Sequence, residues 1–154
     1  CDIGVLSKVN LSQWAAPSFT RPKKTSDVCV LTDFRKLNAV LKWKPFLIPK
    51  ISDMFQQMDN FASATAIDLS MGYYHMELDE ESKQLCATVL PDGKYVWNRL
   101  AMGLACGPDM FQEVMTNIFI NLDYVLVYLD NVLIIQRQNE TEEDHLKKIE
   151  AVLT

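Results

Sequence analysis

The densest apolar run of the chain is YVLVYLDNVLII, residues 124–135, and two polar residues interrupt it at its middle. Each apolar half has the length of a short strand. Asp130 and Asn131 fit the two central positions of a type I′ hairpin turn, because both residue types tolerate positive φ. The pattern therefore predicts a strand, a tight turn at Asp130–Asn131 and a second strand.

Similar patterns predict two more hairpins and a separate strand. Extended runs at Pro17–Thr20 and Val28–Thr32 flank a polar, basic loop. The runs Cys86–Leu90 and Tyr95–Arg99 flank a four-residue turn, PDGK. The segment FASATAID alternates small and apolar residues and is typical of a half-buried strand that ends at Asp68.

Three segments have helical spacing, and a further short helix is expected after the acidic turn that follows residue 76. Ser52 is the predicted N-cap of a helix of about two turns, and Thr141 with Asp144 resembles a capping box. The predicted apolar faces of the two longer helices are Phe111, Val114, Met115, Ile118 and Phe119, and Leu146, Ile149, Val152 and Leu153. Hairpins with interspersed helices predict the α+β class, an antiparallel sheet backed by helices.

Composition limits the class of protein. A chain of 154 residues, 49% apolar and 23% charged, fits one globular domain or two lobes that share a core. The sequence has no apolar run of 18 residues and no secretory signal pattern, so we expect an intracellular chain, in the cytoplasm or nucleus. The four cysteines are widely spaced, which favours reduced thiols over disulfides or a zinc site.

The charge is unevenly distributed. The net charge is −5, but residues 21–50 contain eight basic and two acidic residues, a local balance of 8 − 2 = +6. Residues 51–154 contain 17 acidic and 6 basic residues. The basic segment predicts a surface that faces phosphates, and a basic face that is merely solvated is an equally good interpretation of charge alone.

Asp68 and Asp130 are the candidate metal ligands. Each ends or interrupts an apolar strand, where a carboxylate is exposed at a rim or bound to something. Two such carboxylates side by side would repel unless a divalent cation lay between them, and oxygen ligands favour magnesium or manganese. Two ions would support nucleotidyl transfer. The plain hairpin needs no metal and is favoured on spacing alone. For His75 and His145, packing or solvent exposure is favoured over ligation.

Four blocks occur in a characteristic order: TDFRKLN at 32–38, AIDLSMGYYH at 66–75, RLAMGLACGPDMFQ at 99–112 and VLVYLDNVLI at 125–134. Together they resemble the successive blocks of a reverse transcriptase (RNA-directed DNA polymerase), of the type found in gypsy-like long-terminal-repeat retrotransposons. Four ordered blocks are far more specific than one. The resemblance implies the fingers and palm of a right-handed polymerase, with fingers at about 1–45 and 79–102 and an interleaved palm at about 46–78 and 103–154.

The resemblance also implies residue roles, magnesium or manganese as cofactor, and an RNA or DNA template-primer and deoxynucleotides as partners. The catalytic set is Asp68, Asp130 and Asn131, of which the two aspartates would bind metal. The nucleotide-binding set is Lys23, Lys24, Arg35, Tyr73, Met102 and Gly103. Tyr73 matches the residue that packs beneath the incoming sugar and excludes a 2′-hydroxyl, unless it is a core tyrosine. Arg35 is as consistent with a structural role as with phosphate binding.

Three positions depart from the family pattern. Asn131 replaces the second aspartate of the turn, Cys29 stands where the family has a phosphate-contacting arginine, and Ala101 replaces a proline. We therefore expect a retained fold with weak or absent polymerase activity, in a fragment of a polyprotein without its thumb, RNase H and integrase. The alternative is a non-catalytic, polymerase-like binding or scaffold module, and a two-metal nuclease is a weaker third possibility.

Overall fold

The computed structural model describes residues 4–10, 12–22, 28–42 and 44–154, and at Cys29 it describes the backbone only. The chain forms two compact units, and each unit consists of two separate stretches of the sequence. Unit 1 contains residues 1–44 and 71–107, and unit 2 contains residues 45–70 and 108–154. In the part of the chain that is described, no helix has the length and apolar character needed to span a membrane.

The strands and helices are numbered in chain order. The strands are β1 Leu6–Val9, β2 Ala16–Pro22, β3 Val28–Thr32, β4 Phe61–Asp68, β5 Ala87–Leu90, β6 Gly93–Trp97, β7 Val125–Tyr128 and β8 Asn131–Arg137. The helices are α1 Arg35–Asn38, α2 Ile51–Gln56, α3 Glu80–Leu85, α4 Gly107–Ile118 and α5 Glu142–Leu153, with a 3₁₀ turn at Gly72–His75. Strands and helices in these proportions confirm the predicted α+β class.

Unit 1 is built on a five-stranded sheet with the order β1-β6-β5-β2-β3. Both predicted hairpins, β2–β3 and β5–β6, are present and antiparallel. The second hairpin closes between Leu90 and Gly93, so its turn has two residues instead of the predicted four. The expectation of antiparallel pairing throughout is wrong at one place, because β2 pairs with β5 in parallel. Hairpin signals report only pairings between neighbouring segments, and these two strands are far apart in the sequence.

A buried polar network joins four strands of unit 1. The Trp97 indole N–H donates to Thr32 Oγ1 at 3.1 Å, and the hydroxyls of Thr32 and Thr88 are 3.1 Å apart. The Thr88 hydroxyl also donates to the Ala16 carbonyl at 3.3 Å. Since a buried polar group without a partner costs stability, this network favours one register of the sheet.

Unit 2 is built on a three-stranded sheet with the order β4-β8-β7. Its pairings are antiparallel, as predicted. Cross-strand pairing puts Thr65, Ile134 and Val125 on one face and Ala66, Leu133 and Leu126 on the other. The first face is buried at Val125, Val127, Val132 and Ile134, and α5 packs against β8. The end of β4 and the start of β8 therefore belong to a sheet that has one buried face.

Two details of the helices of unit 2 were predicted wrongly. The N-cap of helix α2 is Lys50, two residues before the predicted Ser52, and the Ser52 hydroxyl donates to Asp53 instead of capping the helix. Pro49 explains the start, because proline cannot donate a helical hydrogen bond and fixes an extended entry. The Thr141–Asp144 capping box of α5 is confirmed.

The buried faces of α4 and α5 differ from the predicted apolar faces. Val114 and Ile118 are 39% and 62% exposed, and Leu146 and Leu153 are 63% and 69% exposed. The positions that are buried instead include Gln112, at 1% exposed, and His145, at 9%. Apolar periodicity misses such positions, because a polar side chain can be buried once it has hydrogen-bond partners.

Candidate active site

The three residues of the predicted catalytic set meet at one end of the sheet of unit 2. Asp68 is the last residue of β4 and pairs directly with Asn131, the first residue of β8. The Leu69 N–H donates to the carbonyl oxygen of Asp130 at 2.8 Å. All three side chains of the set are exposed. The local strand signals and the β4–β8 register thus place two carboxylates and one amide at one exposed rim.

The turn beside them differs by one residue from the predicted turn. Tyr128 pairs with Asn131, so the central residues are Leu129 and Asp130, and Asn131 belongs to β8. The positive φ is found at Leu129, at 52°, which matches the sign pattern of a type II′ turn. The prediction of an Asp130–Asn131 turn is therefore wrong. Its physical reason is that pairing with Asp68 keeps Asn131 in the extended ladder.

A left-handed leucine is unfavourable by roughly 1–2 kcal/mol, because its Cβ crowds the backbone. The side chain of Gln112, on α4, compensates by contacting the turn. Its Oε1 accepts from the Leu129 N–H at 2.7 Å, and its Nε2 donates to the Val127 carbonyl at 3.1 Å. Nε2 also donates to Thr116 Oγ1 at 3.2 Å. Helix α4 thus holds the turn through one buried amide.

The rim carries a donor set that fits a divalent ion. Asp68 and Asp130 supply charged oxygens, and Asn131 supplies one neutral oxygen. Among the residues with described placement, no group of three or more His, Cys, Asp and Glu side chains could hold a metal. Magnesium does not require such a group, since one or two carboxylates, water and substrate phosphates suffice. The Asn131 amide donates to Asp130 Oδ1 at 3.3 Å, which occupies an oxygen that a metal would use.

Unit 1 contains the described residues of the predicted nucleotide-binding set. Tyr73 lies in the 3₁₀ turn and is half-buried. A Cβ built on Gly107 would lie 3.8 Å from Cε2 of Tyr73, so this ring packs beside Gly107. Met71, two residues earlier, has a φ of 55°. The turn that carries Tyr73 is therefore entered through an unfavourable backbone conformation, which is common at functional sites.

The segment with Met102 and Gly103 is held by a second amide. Asn38 Nδ2 donates to the Gly103 carbonyl at 2.9 Å, and Asn38 Oδ1 accepts from the Ala105 N–H at 2.9 Å. Gly103 has a φ of 97°, and a Cβ there would lie 3.4 Å from the Thr32 carbonyl oxygen. Met102 is 38% exposed. Asn38, the last residue of the block TDFRKLN, thus helps to position Gly103 and Ala105 in the block RLAMGLACGPDMFQ.

Arg35 is already engaged by an acidic neighbour. Its Nη2 donates to Asp33 Oδ2 at 2.6 Å and its Nε donates to Asp33 Oδ1 at 2.9 Å. The guanidinium lowers the pKa of Asp33 to about 2, because its hydrogen bonds favour the ionised carboxylate. Asp33 in turn accepts from the Arg35 backbone N–H, at the start of α1. This geometry supports the structural role that the sequence left open for Arg35.

The structure brings the catalytic set together within unit 2, and the described nucleotide-binding residues belong to unit 1. Lys23, Lys24 and the side chain of Cys29 lie outside the described residues. His75 is exposed, and His145 on α5 is buried against β4, with Nε2 2.9 Å from Thr65 Oγ1. The two amides, Asn38 and Gln112, end the blocks TDFRKLN and RLAMGLACGPDMFQ, but their role in holding the loops was not predicted. A polar residue on an apolar helix face is the signal that could have identified Gln112.

The chain is similar in sequence to a known protein family and to several polyproteins. The family model described as reverse transcriptase (RNA-dependent DNA polymerase) matches residues 21–154. The chain is 31% identical over 150 residues to the retrovirus-related Pol polyprotein from transposon 297 of Drosophila melanogaster, covering 96% of the chain and 14% of that protein. It is 28% identical over 141 residues to a putative enzymatic polyprotein of cassava vein mosaic virus, covering 88% of the chain and 22% of that protein.

Solved structures with the same fold include viral enzymes. The prototype foamy virus protease-reverse transcriptase matches with a TM-score of 0.84 at 22% identity, over 97% of this chain and 20% of that one. A foamy viral protease-reverse transcriptase in complex with an RNA/DNA hybrid matches with a TM-score of 0.80 at 24% identity, over the same shares. This likeness confirms the predicted fingers and palm fold. The chain spans less than a quarter of the length of these relatives.

Proposed function

Because the chain belongs to the reverse transcriptase family, we propose that its exposed strand-end rim is the metal-binding centre of a polymerase palm. The observation that carries this proposal is the direct pairing of Asp68 with Asn131, beside Asp130, at one end of an antiparallel sheet. Unit 2 then corresponds to the palm and unit 1 to the fingers. The relatives in transposon Pol polyproteins support a long-terminal-repeat element, and the four ordered blocks favour the gypsy-like type.

The cofactor we propose is magnesium or manganese, in keeping with the use of divalent ions by this family. When bound, such ions would activate the primer hydroxyl and stabilise the leaving pyrophosphate. Asp68 and Asp130 would hold them through exposed carboxylates on adjacent strands. Asn131 reduces the negative charge at the rim by one unit relative to an aspartate, so the ions would be held more weakly.

The partners we propose are a template-primer duplex and a deoxynucleoside triphosphate. Support for the duplex comes from foamy viral enzymes of the same fold, which were solved in complex with an RNA/DNA hybrid and with double-stranded DNA. Tyr73 would exclude a 2′-hydroxyl, and Met102 and Gly103 would line the nucleotide pocket. Lys23 and Lys24 would contact phosphates. Placement in the cytoplasm or nucleus stays a prediction.

We further propose that this chain is an impaired polymerase. Besides the lost charge at Asn131, the amide hydrogen bond to Asp130 stabilises the metal-free rim. Cys29 lacks the charged donors of an arginine, and a lost hydrogen bond to a phosphate costs about 1.5–3 kcal/mol. The chain would retain the fold and bind metal weakly.

Primer extension tests this function. The 154-residue chain is assayed on a primed RNA template with magnesium and then with manganese, beside Asn131→Asp, Asn131→Asp with Cys29→Arg, and that double variant with Asp68→Asn added. We expect slow or undetectable extension by the natural chain, a gain in the double variant, and none in any variant that also carries Asp68→Asn. Robust extension by the natural chain would contradict the impairment. Extension that survives Asp68→Asn would contradict the assigned centre.

A metal titration separates the proposal from a non-catalytic scaffold. Saturable stabilisation by manganese, lost in Asp68→Ala, would support a retained metal centre, because a ligand that binds only the folded state raises the melting temperature. If the melting temperature of the natural chain does not respond to manganese or magnesium, the scaffold function is favoured.

A further inference from the structure

We infer that Gln112 is a positioning residue, which holds the Leu129–Asp130 turn in the conformation that binds metal. This inference rests on the proposed function of the rim. Gln112 is on α4 and reaches the turn only through its side-chain amide. Its role is therefore indirect, through the backbone that carries Asp130.

The amide binds the backbone as a neighbouring strand would. It accepts from the N–H of Leu129 and donates to the carbonyl of Val127, two residues earlier. These two groups flank Tyr128, the last residue of β7, and β8 lies on the other side of β7. Gln112 thus satisfies the free edge of β7 at the point where the turn begins.

The orientation of the amide follows from its partners. A backbone N–H can only donate and a backbone carbonyl can only accept, so Oε1 faces Leu129 and Nε2 faces Val127. The remaining N–H of Nε2 donates to Thr116 Oγ1, one helical turn away on α4. All three hydrogen bonds form in a side chain that is 1% exposed, where water cannot replace them.

The turn is secured on both sides. Gln112 accepts from the N–H of Leu129, and the N–H of Leu69, the residue after β4, donates to the carbonyl of Asp130. Leu129 has a positive φ, which an unrestrained leucine would leave. Without the amide of Gln112, the backbone before Asp130 is free to relax, and its carboxylate would move relative to Asp68.

The test combines a metal titration with amide hydrogen exchange. Manganese affinity is measured from the electron paramagnetic resonance signal of the free ion, for the natural chain and for Gln112→Met, which keeps length and volume but removes both hydrogen-bonding groups. We expect about a tenfold or larger loss of affinity, the range typical of groups that orient metal ligands. The amide of Leu129 should lose its protection from exchange while that of Ile134 keeps its own.

The matched control is Met115→Ala. Met115 lies on the same helix and is 6% exposed. It destabilises the packing of α4 without touching the turn, so manganese affinity should change less than twofold. Gln112→Asn draws the amide back by one methylene and keeps a polar group, which provides a second variant if Gln112→Met does not fold. It should also lose protection at Leu129.

The outcomes separate two failures. If manganese does not bind the natural chain saturably, or binds equally well after Asp68→Asn, the proposed metal centre is wrong and the inference falls with it. If the natural chain binds and Gln112→Met binds as tightly, only the positioning role is overturned. Equal losses of manganese affinity in Gln112→Met and Met115→Ala would also overturn it, because general destabilisation would then explain both losses.

Discussion

Two side-chain amides, one in each unit, make the same pair of contacts in very different surroundings. Gln112 bonds to the carbonyl of Val127 and the N–H of Leu129, and Asn38 bonds to the carbonyl of Gly103 and the N–H of Ala105. In both cases the backbone groups are two residues apart and the loop carries predicted site residues. Gln112 is 1% exposed, whereas Asn38 is half-buried and its bonds lie at the surface.

The difference shows how burial sets the value of a hydrogen bond. At the surface, water can replace Asn38 at both backbone groups, so its loss costs only the net value of the bonds. Around Gln112, a lost partner leaves buried groups unsatisfied, which costs their full desolvation penalty. The turn before Asp130 is therefore held firmly, whereas the segment after Met102 is held in a way that allows adjustment.

The largest effect is expected for Gln112→Met. Two backbone groups, on Val127 and Leu129, would each lose a partner at about 1–3 kcal/mol, so the free energy of unfolding should fall by about 2–6 kcal/mol. Chemical denaturation measures it. Thr116→Val is the control, because it removes only the third hydrogen bond of the amide. A loss below about 1 kcal/mol for Gln112→Met would show that water reaches the turn.

Asn38→Ala should cost less, about 0.5–1.5 kcal/mol, since solvent can take over both of its backbone partners. The measurement is the same denaturation curve, followed through the fluorescence of Trp97, which is buried in unit 1. If burial sets the value of these hydrogen bonds, Asn38→Ala must lower the free energy of unfolding by less than Gln112→Met does. A loss equal to that of Gln112→Met would remove the distinction between the buried and the surface amide.

Asn131→Asp tests the charge at the rim. An aspartate there would lie opposite Asp68 and next to Asp130, and like charges in direct cross-strand pairs are destabilising by roughly 0.2–1 kcal/mol. Thermal unfolding without metal should show this small loss. In excess manganese, Asn131→Asp should instead be more stable to heat than the natural chain, because the extra carboxylate adds a metal ligand. Unchanged stability in manganese would argue against a metal at this rim.

The smallest effect concerns the pH dependence of unit 1. The pKa of Asp33 is lowered from 3.8 to about 2, so the folded state favours the ionised carboxylate. Its contribution to stability is present above pH 4 and disappears as the pH falls towards 2. The stability difference between the natural chain and Asp33→Asn should shrink over that range, and Arg35→Gln should show the same trend. A constant difference would mean that the ion pair contributes nothing.

Much of the fold could be predicted from local signals. The hairpins at β2–β3, β5–β6 and β7–β8 are found where turn residues separate apolar runs. The strand that ends at Asp68 and the capping box at Thr141 are also present. Such features depend on a few adjacent residues, which is why one sequence is sufficient to find them.

The remaining features depend on contacts between distant segments. The parallel pairing of β2 with β5 has no local signature, and the one-residue shift of the turn follows from the pairing of Asn131 with β4. The burial of Gln112 depends on β7, which α4 meets only in the folded chain. Apolar periodicity therefore assigned the outer residues Val114 and Ile118 to the core and overlooked the residue that contacts the turn.

A manganese titration followed by amide NMR tests the metal centre at this rim most directly. We predict paramagnetic broadening centred on the amides of Asp68, Leu69, Asp130 and Asn131, saturable with added manganese and abolished by Asp68→Asn. Uniform weak broadening over the acidic surface, unchanged in Asp68→Asn, would contradict a metal centre at this end of the sheet.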